Sequence, residues 1–256
     1  NHHPDPSKPE NLQDLINDVV NGDSELGLAF DGDADRLGVV TKQGEIIYPD
    51  RLMMMFADDL LARHKSAEII YDVKCSRDLG DWISQRGGKP KMWKTGHSLI
   101  KAEMKRSEIL LGGEMSGHFF FKERWYGFDD GIYAGARLLE YLSKQLSVDS
   151  SFNELPKSIS TPELQIQCQE GENFTLTEKL KTSSHFDSAL QKITIDGIRV
   201  EYRSGFGLAR ASNTTPTIVL RFEADTQSGL TRIMTDFKNA LADEAPHLSF
   251  PTLDKY

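Results

Sequence analysis

The sequence lacks any long apolar run: nothing in its 256 residues approaches the ~20 consecutive apolar residues that a helix needs to cross a bilayer. Its first residues, Asn1–Pro6, hold neither a basic region nor an apolar one, so no secretory signal is visible there. Cysteine is scarce, with Cys75 and Cys168 far apart in the chain. A single disulfide stays open as an alternative, but two buried thiols of a cytoplasmic protein are the preferred interpretation.

Basic residues are fewer than acidic residues. The 30 Lys and Arg residues stand against 39 Asp and Glu residues, which gives a net charge of −9. A negative surface repels polyanions and argues against nucleic acid as the main partner, but local basic side chains can still hold a small phosphate ligand. The remaining composition, 38% hydrophobic and 27% charged, is typical of a folded protein, and the length predicts about two domains.

The order of strand and helix signals divides the chain into three parts. Residues 1–45 offer one short helix and two strands, Leu26–Phe30 and Leu37–Thr41, around an acidic loop, which is an incomplete domain. Residues 46–157 alternate between strand and helix, with one of the helices at Arg77–Gln85. This alternation predicts a mixed, mainly parallel sheet with helices on both faces and ligands at the carboxyl ends of its strands. After a polar linker at 147–162, residues 158–256 predict a small α+β domain with an antiparallel sheet.

The strongest chemical signal is the acidic loop of residues 30–36, Phe-Asp-Gly-Asp-Ala-Asp-Arg, between two predicted strands. Its carboxylates, Asp31, Asp33 and Asp35, would repel one another unless a cation joins them, and oxygen donors select Mg²⁺ or Ca²⁺. An EF-hand would need Gly and Glu at the sixth and twelfth loop positions, and a haloacid-dehalogenase phosphatase usually has Thr or Val where Asp35 stands. Both interpretations fail, and a solvated acidic turn is the remaining alternative.

A glycine-rich stretch at residues 112–118, Gly-Gly-Glu-Met-Ser-Gly-His, follows a predicted strand. Glycines bring backbone close to a ligand, and Glu114 and Ser116 offer an acceptor and a two-way hydroxyl suited to vicinal sugar hydroxyls. A plain glycine-rich turn with a structural histidine is the alternative. Lys74 and His97 each follow another predicted strand, and their place at strand ends is what distinguishes them from surface residues.

A third stretch, residues 203–215, reads Arg-Ser-Gly-Phe-Gly-Leu-Ala-Arg-Ala-Ser-Asn-Thr-Thr. Arg210 supplies a planar fork of donors, and the side chains and backbone of Ser212, Asn213 and Thr214 add more, which suits a phosphate dianion. The stretch contains no Gly-Lys-Ser/Thr, so it is not a Walker loop. A polar loop that merely precedes a strand is the alternative.

The three stretches together carry a family resemblance. In this order and at these separations, Phe-Asp-Gly-Asp-Ala-Asp-Arg, Gly-Glu-Met-Ser-Gly-His and Arg-Ala-Ser-Asn-Thr resemble the metal, sugar and phosphate loops of the α-D-phosphohexomutases, over essentially the whole chain. Asn1–Pro6 resembles the segment that precedes the metal loop there. Met115, Lys74, His97 and residues 122–125 are similar to the bifunctional phosphomannomutase/phosphoglucomutase group. The family's phosphorylated serine lies in a first-domain Thr-Ala-Ser-His-Asn-Pro motif, and this sequence contains nothing like it.

The resemblance implies a mutase that interconverts hexose 1-phosphate and 6-phosphate through an enzyme phosphoserine and a glucose or mannose 1,6-bisphosphate. The missing N-terminal part of the same enzyme would supply that serine, and the last domain would resemble the TATA-binding-protein fold. A non-catalytic sugar-phosphate-binding fragment and a metal-dependent phosphatase stay open. The implied roles are Mg²⁺ binding by Asp31, Asp33 and Asp35; catalysis by Arg36 and the candidate acid/base His118; sugar binding by Lys74, His97, Glu114 and Ser116; and phosphate binding by Arg210, Ser212, Asn213 and Thr214.

Overall fold

The computed structural model describes residues 3–251, so Asn1 and His2 of the segment likened to the mutases, and residues 252–256 of the last predicted domain, lie outside the described residues. The chain forms two compact units, one ending at Pro156 and the other beginning at Lys157. Both cysteines are free thiols, Cys75 buried and Cys168 half-buried. None of the described helices is long and apolar enough to span a membrane.

The first unit opens with a short antiparallel sheet backed by a helix. Its strands run in the order β1-β2-β3, and the predicted bounds of β1 and β2 are confirmed. Because Phe30 at the end of β1 pairs with Leu37 at the start of β2, the acidic stretch closes this hairpin as a tight loop. The elements are a 3-10 helix at Pro9–Leu12, α1 at Gln13–Asn21, β1 at Leu26–Phe30, β2 at Leu37–Thr41 and β3 at Ile46–Ile47.

A larger mixed sheet follows, in the strand order β5-β4-β6-β7. Strand β4 is parallel to β5 and β6, while β7 is antiparallel to β6. Successive residues of β4 enter different cores, because side chains alternate between the two faces of a sheet. Ile69 packs with α2, α3 and α5, and Ile70 packs with α4. The predicted mixed, mainly parallel sheet with helices on both faces is confirmed. Its elements are α2 at Pro49–Arg63, β4 at Glu68–Asp72, α3 at Arg77–Gln85, β5 at Lys89–Trp93, α4 at His97–Ser107, β6 at Leu111–Gly113, β7 at Phe119–Phe121 and α5 at Gly131–Leu142.

The second unit is an antiparallel sheet with two helices on one face. Strands run in the order β10-β11-β12-β13-β8, and β9 also pairs with β13. The core between sheet and helices centres on Phe222 and Phe237, whose rings meet edge to face with centroids 5.3 Å apart. Its elements are β8 at Ile159–Ser160, β9 at Leu164–Gln167, α7 at Glu172–Leu180, a 3-10 helix at Ser184–Phe186, β10 at Gln191–Ile193, β11 at Ile198–Tyr202, β12 at Gly205–Ala211, β13 at Thr217–Ala224 and α8 at Gln227–Glu244.

Two sequence interpretations need correction. The polar linker predicted at residues 147–162 contains a helix, α6 at Val148–Asn153, because Ser147 caps its first turn by accepting a hydrogen bond from the Ser150 amide. The phosphate stretch is not wholly a loop either, since its first half forms β12. Glycine hides that strand in the sequence, yet Gly207 is required there because a Cβ would lie 2.4 Å from the Phe237 ring.

Candidate active site

The β1–β2 hairpin brings its three carboxylates together. Asp31, Asp33 and Asp35 each place one oxygen within 4.8 Å of the other two. The loop curls through Ala34, which has φ 61° and donates its amide hydrogen to the Asp31 carbonyl oxygen at 3.2 Å. Asp35 Oδ1 is buried and accepts no hydrogen bond from any residue that the structure describes. Three convergent oxygens, one of them without a donor, fit a hard divalent cation such as Mg²⁺.

Arg36 offsets part of this negative charge. Its Nε donates to Asp31 Oδ2 at 2.5 Å, and its backbone amide donates to Asp31 Oδ1 at 3.0 Å. The guanidinium Nη1 also reaches Asp5 Oδ1 at 3.2 Å. Burial alone would raise the pKa of Asp31, but these hydrogen bonds from Arg36 outweigh it and lower the pKa.

Asp35 has the opposite balance. Burial raises the pKa of its carboxyl, and although the His118 ring lowers it, the carboxylates of Asp31 and Asp33 raise it further. Such a group is difficult to ionise without a cation. Residues 31–36, the candidate metal loop, therefore contain one carboxylate neutralised by an internal arginine and one that still needs a positive charge.

His118 lies beside the metal loop because β2 and the β6–β7 turn pair with each other. Arg36 and His118 form an isolated β-bridge, and the Leu37 amide donates to the Gly117 carbonyl at 3.1 Å. His118 Nδ1 is 3.5 Å from Asp35 Oδ1 and 3.2 Å from Asp129 Oδ2. The ring also stacks on His97 with centroids 5.6 Å apart. Metal loop and histidines thus form one continuous group.

Asp129 joins the two histidines from the side. Its Oδ2 lies 3.4 Å from His97 Nδ1, and its Oδ1 accepts a hydrogen bond from Lys101 Nζ at 2.7 Å. Burial raises the pKa of Asp129, but His118 and Lys101 hold it well below its usual range. The carboxylate is therefore ionised and faces Nδ1 of both rings.

The segment after Asp129 packs against the metal loop at a glycine. The Gly131 amide, at the start of α5, donates to the Ala34 carbonyl at 2.9 Å. A Cβ at this position would lie 2.6 Å from the Arg36 carbonyl oxygen, so no larger residue fits without displacing the loop. The adjacent Asp130 caps α5 by accepting from the Tyr133 amide at 2.8 Å.

The carboxyl ends of β4, β5 and β6 meet beside His118. Lys74 follows β4, His97 follows β5, and Glu114 follows β6. Glu114 is buried and its Oε1 accepts from the Gly96 amide at 2.6 Å. Burial raises the pKa of Glu114 to about 7, with a further contribution from the carboxylate of Asp72. Ser116, in the turn that follows, is only partly buried.

The second unit holds the other predicted residues, at the end of β12 and in the turn to β13. Arg210 is buried, and its Nε donates to Asp196 Oδ2 at 3.0 Å. Ser212 Oγ accepts from the backbone amides of Thr214 and Thr215, both at 3.3 Å. Asn213 and Thr214 are exposed. The turn is a compact polar loop that begins two residues after the arginine.

Asn173 of α7 holds this turn in place. Its Nδ2 lies within hydrogen-bonding distance of the carbonyl oxygens of Ser212, Thr215 and Thr217, at 3.2, 3.4 and 3.3 Å. Asn173 therefore fixes the backbone of the turn from the inside, while Asn213 and Thr214 are exposed on its outside.

Comparison with known proteins agrees with these motifs. The chain matches domain models described as phosphoglucomutase/phosphomannomutase alpha/beta/alpha domain II over residues 1–44, alpha/beta/alpha domain III over residues 48–159 and C-terminal domain over residues 163–240. It is 60% identical over 252 residues to a phosphoglucomutase of Neisseria gonorrhoeae, an alignment that covers 98% of this chain and 55% of the relative. The chain belongs to the α-D-phosphohexomutase superfamily.

Other superfamily members are similar to the chain over the same extent. A phosphomannomutase/phosphoglucomutase of Pseudomonas syringae pv. tomato is 57% identical over 252 residues, which is 98% of this chain and 54% of that protein. A solved structure of a phosphoglucomutase/phosphomannomutase family protein from Burkholderia thailandensis is 56% identical, with a TM-score of 0.93 over 98% of this chain and 54% of that chain. The chain therefore spans about half the length of the curated superfamily relatives it matches.

Several acidic and amide side chains within these superfamily domains were not predicted from the sequence. Asp5 pairs with Arg36, and Asp129 lies beside His97 and His118, although both are distant from these partners in sequence. The only sequence feature that could have indicated either residue is the Asp-Asp pair at positions 129–130. The others, Asp72, Asn173 and Asp196, precede or lie apart from the motifs that they brace.

Proposed function

We propose that this chain provides the metal-, sugar- and phosphate-binding residues of a phosphomannomutase/phosphoglucomutase, which interconverts hexose 1-phosphate and 6-phosphate through an enzyme phosphoserine and a 1,6-bisphosphate. The observation that carries the proposal is the group formed by the metal loop, Arg36 and His118 beside the buried Glu114. The names of the most similar relatives support it. The serine would lie in the part of those relatives that this chain does not cover.

Asp31, Asp33 and Asp35 would hold Mg²⁺, which when bound neutralises negative charge on the phosphoryl group. Arg36 is the nearest cation of the chain itself, fixed by Asp31 and Asp5. Phosphoryl transfer depends mainly on positioning and charge neutralisation. The Arg36 guanidinium, held by two carboxylates, would supply a positive charge in a fixed position.

His118 is the proposed acid/base. Its Nδ1 faces Asp129, which leaves Nε2 to take the proton of the sugar hydroxyl as that oxygen bonds to phosphorus and the serine oxygen leaves. In the return direction the same nitrogen gives the proton back. The stack of His118 on His97 restricts rotation of the ring and keeps the two nitrogens in these roles.

Glu114 and Ser116 are the proposed acceptor and hydroxyl for the sugar, with Lys74 and His97 at neighbouring strand ends. A mutase must bind the hexose in two orientations, and a carboxylate with a hydroxyl two residues on can contact vicinal hydroxyls in either one.

In the second unit, Arg210 with Ser212, Asn213 and Thr214 is proposed to bind the phosphate that is not transferred. The buried Arg210 and the polar turn after it support this role. We further propose that the antiparallel sheet with helices on one face is a TATA-binding-protein-like domain, and that the whole enzyme acts in the cytoplasm.

The test is an assay of glucose 6-phosphate and free phosphate formed from ³²P-labelled glucose 1-phosphate, with Mg²⁺ and glucose 1,6-bisphosphate. We expect no turnover by the purified chain alone, and some turnover when the serine-bearing part of a relative is added in trans. Turnover by the chain alone that disappears in Ser116→Ala or Ser212→Ala would contradict the proposal.

The other candidate functions give different results in the same assay. Release of free phosphate without glucose 6-phosphate would indicate a phosphatase. Binding with no turnover under either condition would indicate a sugar-phosphate-binding fragment. Asp33→Asn serves as the control for a metal requirement, since it changes one carboxylate and no other group of the site.

A further inference from the structure

Asp72, the last residue of β4, is a fully buried carboxylate that the sequence motifs do not include. Burying a carboxylate costs several kcal/mol unless hydrogen bonds and nearby positive charge compensate for the lost hydration. Such a residue is normally found where its hydrogen bonds fix something important, so its partners indicate what it does.

The partners of Asp72 come from the loops after three strands. Its Oδ1 accepts hydrogen bonds from the Met115 amide at 3.2 Å and from Cys75 Sγ at 3.2 Å. Its Oδ2 accepts from Thr95 Oγ1 at 3.0 Å and lies 3.9 Å from Lys74 Nζ. One carboxylate therefore ties together the loops that follow β4, β5 and β6.

These bonds lie on either side of Glu114. Met115 is the next residue in the chain, and the Gly96 amide that donates to Glu114 Oε1 is next to Thr95. Asp72 thus fixes both the backbone that carries Glu114 and the loop that holds its carboxylate. We propose that Asp72 is the positioning residue of the hexose site, setting the mutual placement of Lys74, the loop before His97 and Glu114; this inference rests on the function proposed above.

Charge gives Asp72 a second effect on the same site. The charged groups that face Glu114 are Asp72, which disfavours ionisation of the glutamate, and His118 and Lys74, which favour it. Burial is the largest influence, and the sum raises the pKa of Glu114 to about 7. An uncharged residue at position 72 removes the repulsion, so the pKa of Glu114 should fall.

The experiment measures calorimetric binding of glucose 1-phosphate, and separately of inorganic phosphate, to the chain with Mg²⁺. Asp72→Asn removes the carboxylate charge, so the remaining acceptor oxygen binds the Met115 amide more weakly, and it places an NH₂ donor where the other oxygen was. Loss of a hydrogen bond to a charged group predicts roughly tenfold weaker glucose 1-phosphate binding and unchanged phosphate binding. Asp59→Asn is the matched control, a buried carboxylate paired with Arg63 and Arg137 that should leave both affinities unchanged.

Two spectroscopic readouts separate positioning from general instability. In Asp72→Asn, hydrogen exchange at the Met115 amide should accelerate, and the ¹³C titration of the Glu114 carboxyl should move to lower pH. If Asp72→Asn does not fold, Thr95→Val removes the hydroxyl that donates to Oδ2 and should weaken glucose 1-phosphate binding about threefold.

Unchanged affinity for glucose 1-phosphate in the folded variant, or an equal loss in Asp59→Asn, would overturn the inference. If the wild-type chain binds no glucose 1-phosphate, the proposed function fails instead. In that case the Met115 exchange and the Glu114 titration still decide whether Asp72 organises these loops, and no change in either would overturn that as well.

Discussion

The two candidate binding regions hold charge in opposite ways. In the first unit, the metal loop, Asp129 and Glu114 gather negative charge in buried surroundings, and burial raises the pKa values of Asp35 and Glu114. In the second unit, Arg210 provides one buried positive charge against Asp196, followed by an exposed turn of neutral residues. The first region is rich in carboxylates that need a cation, while the second offers donors to an anion.

The two regions therefore depend on different interactions for their stability. Buried carboxylates need positive charge close to them, and apart from the candidate site the first unit has a buried network of this kind in Asp59, Glu123 and Arg137. A turn of hydroxyls and amides needs only a few backbone hydrogen bonds, which Asn173 and Ser212 provide. Changes to the Asp59, Glu123 and Arg137 network should therefore affect folding most, while changes in the exposed turn should mainly affect binding.

The largest effect is expected at Arg137, which is buried, pairs with Asp59 at 2.8 Å and Glu123 at 3.1 Å, and covers the Phe121 ring. Arg137→Met leaves two buried carboxylates with less compensation, so the free energy of unfolding should fall by about 3 kcal/mol in urea denaturation. Lys144→Met, at the half-exposed edge of the same network, should cost under about 1 kcal/mol. Equal losses in the two variants would contradict a buried network.

The second effect concerns pH and Glu114. Its pKa in the folded chain is about 7, above the ordinary value of 4.5, so the folded state binds a proton more tightly than the unfolded state. The resulting stability is fully present below pH 4.5 and is lost as pH rises through 7. Relative to Glu114→Gln, the wild type should lose on the order of 3 kcal/mol of unfolding free energy between pH 5 and pH 8. Parallel pH profiles of the two proteins would show that Glu114 does not titrate there.

Part of the fold could be predicted from sequence because strands such as β1, β2 and β7 are short apolar runs. Strands β1 and β2 were predicted to the residue, and α3 likewise, since their boundaries coincide with polar or capping residues. Strand β12 was not predicted because glycine and alanine occupy alternate positions along it. At Gly207 the nearby Phe237 ring leaves no room for a larger residue. That requirement is tertiary and leaves no apolar alternation in the sequence.

The residues of the candidate site also differ in whether the sequence alone could group them. Asp31, Asp33 and Asp35 could be grouped from spacing alone, because five consecutive residues of a hairpin loop must lie close together. Asp129 and Asp72 could not, since each meets its partners only when separate strands and loops assemble. Local motifs identify the residues of the site, and the residues that brace them come from the fold.

A third prediction concerns the second unit. Arg210→Ala removes the buried guanidinium, and a charge-assisted hydrogen bond contributes about 1.5–3 kcal/mol, so glucose 1-phosphate should bind roughly ten- to a hundredfold more weakly by calorimetry. Arg232→Ala, at an exposed arginine of the same unit, is the control and should change affinity little. Similar losses in both variants would indicate general electrostatic attraction instead of a phosphate site.

The smallest effect is expected at Asp33, the exposed carboxylate of the metal loop. Asp33→Asn removes one charge in a high-dielectric position, which predicts roughly tenfold weaker Mg²⁺ binding with an unchanged thermal unfolding midpoint in the absence of metal. Glu10→Gln, at an exposed carboxylate in the first turn of the N-terminal 3-10 helix, is the control. Equal Mg²⁺ affinity in wild type and Asp33→Asn would remove this residue from the metal site.

We propose that the first unit binds the sugar of glucose 1-phosphate and that the second binds its phosphate, and ¹H–¹⁵N NMR titration tests this most directly. With glucose 1-phosphate, we expect shifts of the Gly96 and Met115 amides in the first unit and of the Thr214 and Thr215 amides in the second. Inorganic phosphate should shift only the Thr214 and Thr215 amides. A glucose 1-phosphate titration that leaves Gly96 and Met115 unmoved, or that matches the phosphate titration throughout, would contradict the claim.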